Sequence, residues 1–433
     1  MMDDNDHIWG ADFANSARDF DPAREPSPQD KYCDFERDPA IGAFRDQHRL
    51  VQASGLDNPF FRVNQATMHG TALIDGREHV NFASYNYLGL CGENGIGEAA
   101  KTAIDLYGTS VSASRIVSGE RPIQGELEQE LAQFLDAEEA VALVSGYLTN
   151  VTTIGHLFGP GDVIFYDRLA HNSAIQGAIL SRARRIAFPH NDGAALEQLL
   201  QKYRGQYRRA LIFIEGVYSM DGDIADVPRF IALRDRYKTF LMVDEAHSLG
   251  VLGAHGGGVR EHFGLSGSDI DIWMGTLSKT LASCGGYIAG RRSLIEYLRY
   301  TVPGFLYSVG ISPSGAAAAL AALRQMQAEP ERIRTLRARA ALFLKLAREN
   351  GLNTGNSGGT AVVPVIVGDS LLSIALSNAL LVRGINVQPI LAPAVSEETA
   401  RLRFFITSMH SEAQIRECVS TVAEEMRRLK EAA

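Results

Sequence analysis

Short apolar runs alternate with amphipathic stretches along this chain from about residue 70 onward. Thr71–Ile74 and His79–Phe82 read as a strand pair about the turn Asp75-Gly76. Ala99–Tyr107 and Pro122–Leu135 follow the helical period, and Leu127, Leu131 and Leu135 share one face. Ala140–Val144 reads as a short buried strand, followed by a helix from about Leu148 to Phe158. Asp162–Tyr166, Arg185–Phe188, Arg209–Ile214, Thr239–Val243 and Asp271–Gly275 are further short runs bounded by turns or helical patterns. Most are β-branched or aromatic, as a parallel sheet covered on both faces requires. Strands alternating with helices at this pitch predict an α/β domain.

After Pro303 the texture changes. Ser314–Gln327 and Glu331–Asn350 read as helices joined at Pro330. Val362–Val367, Ile385–Ile390 and Arg401–Thr407 read as strands of a second sheet, with helices Ser370–Leu381 and Ser411–Lys430 over one face. The pattern predicts a smaller α+β domain here. At the other end, Asp30–Ser54 has a helical pattern through Phe35, Ile41, Phe44, Leu50 and Val51.

Composition sharpens this picture at the N-terminus. Residues 1–50 carry twelve acidic and six basic side chains, so −6 of the net charge of −9 lies there. Pro22, Pro26, Pro28 and Pro39 interrupt helices. About the first 30 residues are therefore expected to form a mobile or loosely docked arm. With 42 basic against 51 acidic side chains, a nucleic-acid-binding surface is not expected. Cys33, Cys91, Cys284 and Cys418 are widely spaced without a CxxC, which argues against a disulfide framework or a zinc module, and no metal site is expected. The start MMDDNDH reads as neither a secretory signal nor a transit peptide. No run of about 18 apolar residues occurs, so a transmembrane segment is not expected and the anticipated location is cytoplasmic.

Reactive side chains collect at the ends of the predicted strands. Lys279, in Gly275-Thr276-Leu277-Ser278-Lys279, follows an apolar run, and burial would favour the neutral amine that a Schiff base requires. Asp244 ends another run and is followed closely by His247. Ser219 and His171 stand at similar strand ends. Ser145-Gly146-Tyr147 lies between a strand and a helix, where free backbone N–H groups can hold a phosphate. Each has an ordinary reading taken singly: a solvated loop lysine, a helix cap for Asp244, a surface histidine. Together they line one sheet edge, where open α/β sheets bind ligands.

In order and spacing the motifs resemble those of the α-oxoamine synthases, pyridoxal-phosphate enzymes of fold-type I (aspartate aminotransferase-like). They are NYLGL (86–90), GTSVSASRIVSG (108–119), SGYLTN (145–150), DRLAHNS (167–173), EGVYSMDGDIAD (215–226), VDEAHSLGVLG (243–253), GTLSKTLASCGG (275–286) and RLRFFITSMH (401–410). The resemblance runs from about Asn58 to Arg428 and leaves the acidic arm outside.

The resemblance implies a large, mostly parallel seven-stranded sheet domain and a smaller C-terminal α+β domain. The expected division is an arm over 1–50, a segment over 51–95 packing with the small domain, a cofactor-binding domain over 96–305 and the small domain over 306–433. It implies pyridoxal 5'-phosphate as cofactor and Lys279 as the lysine that bonds it and later moves the Cα proton. Asp244 matches the partner of the pyridinium nitrogen, His171 the ring-stacking histidine, and Ser219 and His247 the partners of the phenolic oxygen. Ser145, Gly146, Tyr147, Thr276 and Ser278 fall around the phosphate. Ser308 falls where a neighbouring subunit's phosphate would be reached, which implies a homodimer with a shared active site. Arg403, with Asn86 nearby, matches the group that fixes the amino acid carboxylate.

The implied reaction is a decarboxylating condensation of an amino acid with an acyl thioester, on CoA or an acyl carrier protein, to give an α-amino ketone. The alternatives are another fold-type I reaction (aldolase, lyase or aminotransferase) and a non-catalytic subunit of a heteromeric synthase. Gln124, Tyr307–Gly310 and Thr109–Ser114 depart from common members and bear on the substrate rather than the cofactor.

Overall fold

The computed structural model describes residues 35, 36, 38–392 and 394–432. The expected arm through about residue 30 lies outside them. The helical pattern that follows it is observed as Pro39–Ala53.

The strands are β1 (Thr71–Ile74), β2 (Arg77–Asn81), β3 (Glu139–Leu143), β4 (Val163–Asp167), β5 (Arg184–Phe188), β6 (Ala210–Glu215) and β7 (Phe240–Asp244). They continue with β8 (Ile272–Thr276), β9 (Gly286–Gly290), β10 (Val362–Ile366), β11 (Ile385–Asn386), β12 (Gln388–Ile390) and β13 (Arg401–Phe405). Seven of them form one sheet in the order β3-β9-β8-β7-β6-β4-β5. Its pairs are parallel except those of β9, which runs antiparallel to both neighbours.

Side-chain alternation gives this sheet two cores. Ile212 and Ile214 of β6 join Leu241 and Val243 of β7 on one face, while Leu211, Phe213 and Met242 face the other. Every residue of β6 is buried, as expected of a strand covered on both sides.

The apolar pattern misses β9, because its glycines stand where bulky residues usually mark a strand. Those glycines serve close packing. A Cβ at Gly286 would lie 2.6 Å from Thr149 Oγ1 and 2.7 Å from Gly146 Cα. Only glycine lets the helix Gly146–Leu157 approach the sheet this closely.

A second sheet, β10-β13-β12, is antiparallel. Helices Pro330–Glu349 and Ser370–Val382 pack on it, and Glu412–Ala432 packs on both helices. The expected single strand Ile385–Ile390 divides at buried Val387. β11 pairs with β2 in parallel, whereas β12 joins β13. The chain thus crosses from one sheet to another and ties the β1–β2 hairpin to the C-terminal layer. Phe405 N–H donates to Phe82 O at 2.9 Å and Ser408 N–H to Tyr87 O at 2.8 Å. These bonds lay the turn at residues 83–90 beside the end of β13. Among the described residues, no helix is long and apolar enough to cross a membrane.

Candidate active site

The C-terminal ends of the parallel strands meet in one place. β6 ends on Glu215, β7 on Asp244 and β8 on Thr276. His171 caps the helix Asn172–Ser181 just beyond β4, and Ser145 caps Gly146–Leu157 just beyond β3.

Asp244 is buried and doubly held. Its Oδ2 accepts from Asn150 Nδ2 at 2.8 Å, and its Oδ1 accepts from Ala246 N–H at 2.9 Å. Each oxygen keeps a further lone pair for another donor. Asn150 Nδ2 also lies 2.9 Å from Ser173 Oγ, which is 2.7 Å from His171 Nδ1. Glu215 accepts the backbone N–H groups of His171 at 2.6 Å and Ser219 at 3.2 Å. Burial, with Asp244 close by, pushes the Glu215 carboxyl well above the usual range.

Lys279 is half-buried, with Nζ 5.7 Å from the centroid of the Tyr85 ring. Burial lowers its pKa to about 8; Asp244 and Glu215 oppose that shift and Arg403 adds to it. His247 is held well below its usual range by burial and by the charges of Lys279 and Arg403. Its Nδ1 is 2.7 Å from the Tyr87 hydroxyl. Burial raises that phenol's pKa, so it stays protonated and donates to Nδ1. The ring proton of neutral His247 then sits on Nε2.

Arg403 Nη1 donates to Ser219 O at 3.0 Å, and its guanidinium lies 4.8 Å from the centroid of Phe405. Its Nε is buried without a partner, a donor left for an acceptor from outside the chain. The loop carrying Ser219 is held from below by His190. Nδ1 lies 2.9 Å from Asp167 Oδ1 and Nε2 3.0 Å from Asp223 Oδ2. Burial opposes the imidazolium, but the hydrogen bonds and charges of Asp167 and Asp223 outweigh it and raise His190 to about 10.

The strand ends also form a cradle. A Cβ on Gly146 would fall 2.6 Å from Thr276 Oγ1, so the helix start and the end of β8 are in contact. Thr276 Oγ1 is 2.7 Å from Ser278 Oγ, and Ser278 is exposed. Tyr147 donates its hydroxyl proton to Asn172 at 3.0 Å, beside the His171 ring. Free N–H groups at a helix start, flanked by two hydroxyls, suit a phosphate. A low-pKa lysine, a buried carboxylate with spare lone pairs and this cradle fit the donor set that pyridoxal phosphate needs.

Asn86 does not stand free. Its Nδ2 donates to Met68 O at 3.0 Å and Cys91 O at 3.3 Å, and its Oδ1 accepts Cys91 N–H at 3.0 Å. Both amide donors are spent on backbone carbonyls, and the neighbouring Tyr85 is the side chain that faces Lys279. Ser308 lies outside the cluster, on a loop joined to Ala113 O through Gly310 N–H at 3.2 Å. Gln124 braces that loop, donating to Ile311 O at 3.1 Å.

Tyr87, Asn150, Ser173 and Glu215 escaped the sequence reading although each lies inside or at the end of a quoted motif. His190 carried no signal beyond its position after an apolar run.

The sequence model of the aminotransferase class I and II family matches residues 77–422. An 8-amino-7-oxononanoate synthase from Symbiobacterium thermophilum is 40% identical over 379 residues, covering 88% of this chain and 96% of that protein. The chain belongs to the α-oxoamine synthases. Another 8-amino-7-oxononanoate synthase, from Geobacter sulfurreducens, is 42% identical over 353 residues, 81% of this chain and 90% of its own length. A solved serine palmitoyltransferase variant from S. paucimobilis, bound to a PLP–myriocin aldimine, superposes with a TM-score of 0.87 at 27% identity, covering 90% of this chain and 98% of that one. Like other α-oxoamine synthases, the protein has the fold of fold-type I and is a pyridoxal-phosphate-dependent transferase. It condenses an amino acid with an acyl thioester, with decarboxylation.

Proposed function

We propose that the strand-end cluster is the catalytic centre of this condensation. The observation that carries the proposal is the convergence of Lys279, lowered to about 8, with the buried carboxylate of Asp244 and with His171 and half-buried Arg403. Pyridoxal phosphate, when bound, supplies the electron sink for a carbanion at the amino acid Cα. Lys279, whose neutral amine burial favours, would hold the cofactor and is the base that would move the proton at the amino acid Cα. The Asp244 carboxylate would accept a hydrogen bond from the protonated ring nitrogen, and His171 would cover the ring face. His247 Nε2–H and the Ser219 hydroxyl would donate to the phenolic oxygen. Ser145 sets the helix start at which Gly146 and Tyr147 N–H groups, with Thr276 and Ser278 hydroxyls, would hold the phosphate.

Arg403 binds the substrate carboxylate; a planar guanidinium with a free Nε suits that acceptor. Asn86 is assigned to shaping the turn that presents Tyr85. The acyl donor is a thioester of CoA or of a carrier protein.

We read the active unit as a cytoplasmic homodimer. Val117 and Tyr307, 78% and 85% exposed, are large apolar side chains near Ser308 and support a covered face there. In that arrangement Ser308 reaches the partner's phosphate site. The same reading divides the chain near residues 50, 95 and 305.

The test is a visible absorbance titration of purified holoenzyme with a panel of amino acids, followed by acyl thioesters. A band that shifts with one amino acid and changes again with a thioester supports the assignment. A spectrum that stays featureless after cofactor is supplied refutes it.

A further inference from the structure

Two buried polar groups, Asn150 and Ser173, link Asp244 to His171, the residues proposed to meet the cofactor ring. Asn150 and Ser173 are each about 1% exposed, and Asp244 is 4% exposed. A carboxylate only accepts, so the Asn150 amide must turn its nitrogen toward Asp244 Oδ2, at 2.8 Å. The second proton on that nitrogen points to Ser173 Oγ at 2.9 Å, which must therefore accept. The Ser173 hydroxyl proton is then free to go to His171 Nδ1 at 2.7 Å. Ser173 backbone N–H also points at Nδ1, at 3.3 Å. With two donors aimed at it, Nδ1 is the unprotonated nitrogen, and the ring proton of neutral His171 lies on Nε2.

We infer that Asn150 and Ser173 are positioning residues that form a hydrogen-bond relay between His171 and Asp244, in which Asn150 donates both to Asp244 and, through Ser173, toward His171, fixing the His171 tautomer and the orientation of the Asp244 carboxylate together. The inference rests on the assignment of Asp244 and His171 to the cofactor ring. The relay joins the helix after β3, the helix after β4 and the end of β7, three elements far apart in sequence. A buried carboxylate held by an amide cannot rotate away when a ring nitrogen takes its remaining lone pair. A histidine whose Nδ1 is already engaged presents a fixed Nε2–H to whatever lies beyond it. Preorganisation of this kind lowers the cost of ordering the site on binding.

A double-mutant cycle on pyridoxal phosphate affinity, measured by absorbance titration of cofactor-free protein, tests the relay. Asn150→Leu and Ser173→Ala should each raise the Kd by about three- to tenfold. Because both break one chain of bonds, the double variant should fall short of the product of the single effects by at least about threefold. Effects that simply multiply would overturn the relay. Asp244→Asn in the same assay separates the two ideas. A strong loss of affinity there, with multiplying effects at 150 and 173, removes the relay and leaves the site assignment standing. No change there removes both.

The second readout needs no cofactor. Histidine-labelled NMR, with His171→Asn marking the resonance, should show Nε2–H in the unaltered protein. A raised Nδ1–H population is expected in Asn150→Leu, where Ser173 Oγ loses the donor that forced its proton toward the ring. An unchanged tautomer overturns the relay. Should Asn150→Leu fail to fold, Ser173→Ala, which removes a single oxygen, gives the same comparison with the same two outcomes.

Discussion

Replacing His190 by Gln removes the cation between Asp167 and Asp223 and leaves two carboxylates facing a neutral amide. His190 is raised to about 10 in the folded chain, with its side chain 15% exposed, against about 6.5 for an unperturbed imidazole. A shift of that size corresponds to about 3–5 kcal/mol, the range also found when one partner of a buried ion pair is deleted. The sign follows from proton counting. Below about pH 6.5 both folded and unfolded chains carry the proton and the stabilisation is fully present. Above that, only the folded chain keeps it, so stability falls by about 1.4 kcal/mol per unit and the contribution is gone once the pH passes about 10. Equilibrium urea unfolding of the unaltered protein and His190→Gln at pH 6, 8 and 10 should give a gap that is widest at pH 6 and closes by pH 10. A gap below about 1 kcal/mol, or one of constant size across this range, would refute the clamp.

Three further outcomes follow from the same geometry. Capture of pyridoxal phosphate by cofactor-free protein should accelerate up to about pH 8 and then level off, because burial lowers Lys279 to about 8 and the neutral amine is the nucleophile; stopped-flow absorbance showing acceleration beyond pH 10 would mean an ordinary lysine. Arg403→Lys exchanges a planar fork for a point charge and should raise KM for the amino acid about 10- to 100-fold with a smaller change in kcat, and equal falls in kcat and kcat/KM would place Arg403 elsewhere in the reaction. Tyr87→Phe keeps the ring and removes the 2.7 Å bond to His247 Nδ1; an unsatisfied buried nitrogen should cost about 1–3 kcal/mol in thermal unfolding of the cofactor-free protein, and an unshifted melt would show that Nδ1 finds another donor.

The strands of the large sheet were legible because two-sided burial leaves continuous apolar runs, as in Ala210–Glu215 and Phe240–Asp244. β9 was not, because close approach of the Gly146–Leu157 helix replaces apolar bulk with glycine. The break at Val387 was hidden for a different reason: both halves are extended, and only their pairing partners differ. At the site, Lys279, Asp244 and His171 were legible as reactive types at strand ends. Asn150 and Ser173 were not, since their partners lie across the sheet edge and their importance appears only when three helix and strand ends meet. Asn86 and Tyr85 show the same limit on a finer scale. Sequence places both in one turn, but hydrogen bonding to Met68 and Cys91 decides which of them faces Lys279.

The account turns on the bond between Lys279 and the cofactor, and borohydride reduction of the holoenzyme followed by peptide mass mapping reads it directly. The expected result is the pyridoxyl phosphate mass on the peptide containing Lys279, and its loss in Lys279→Ala. The label on another lysine, or no label on a protein that holds the cofactor, would contradict it.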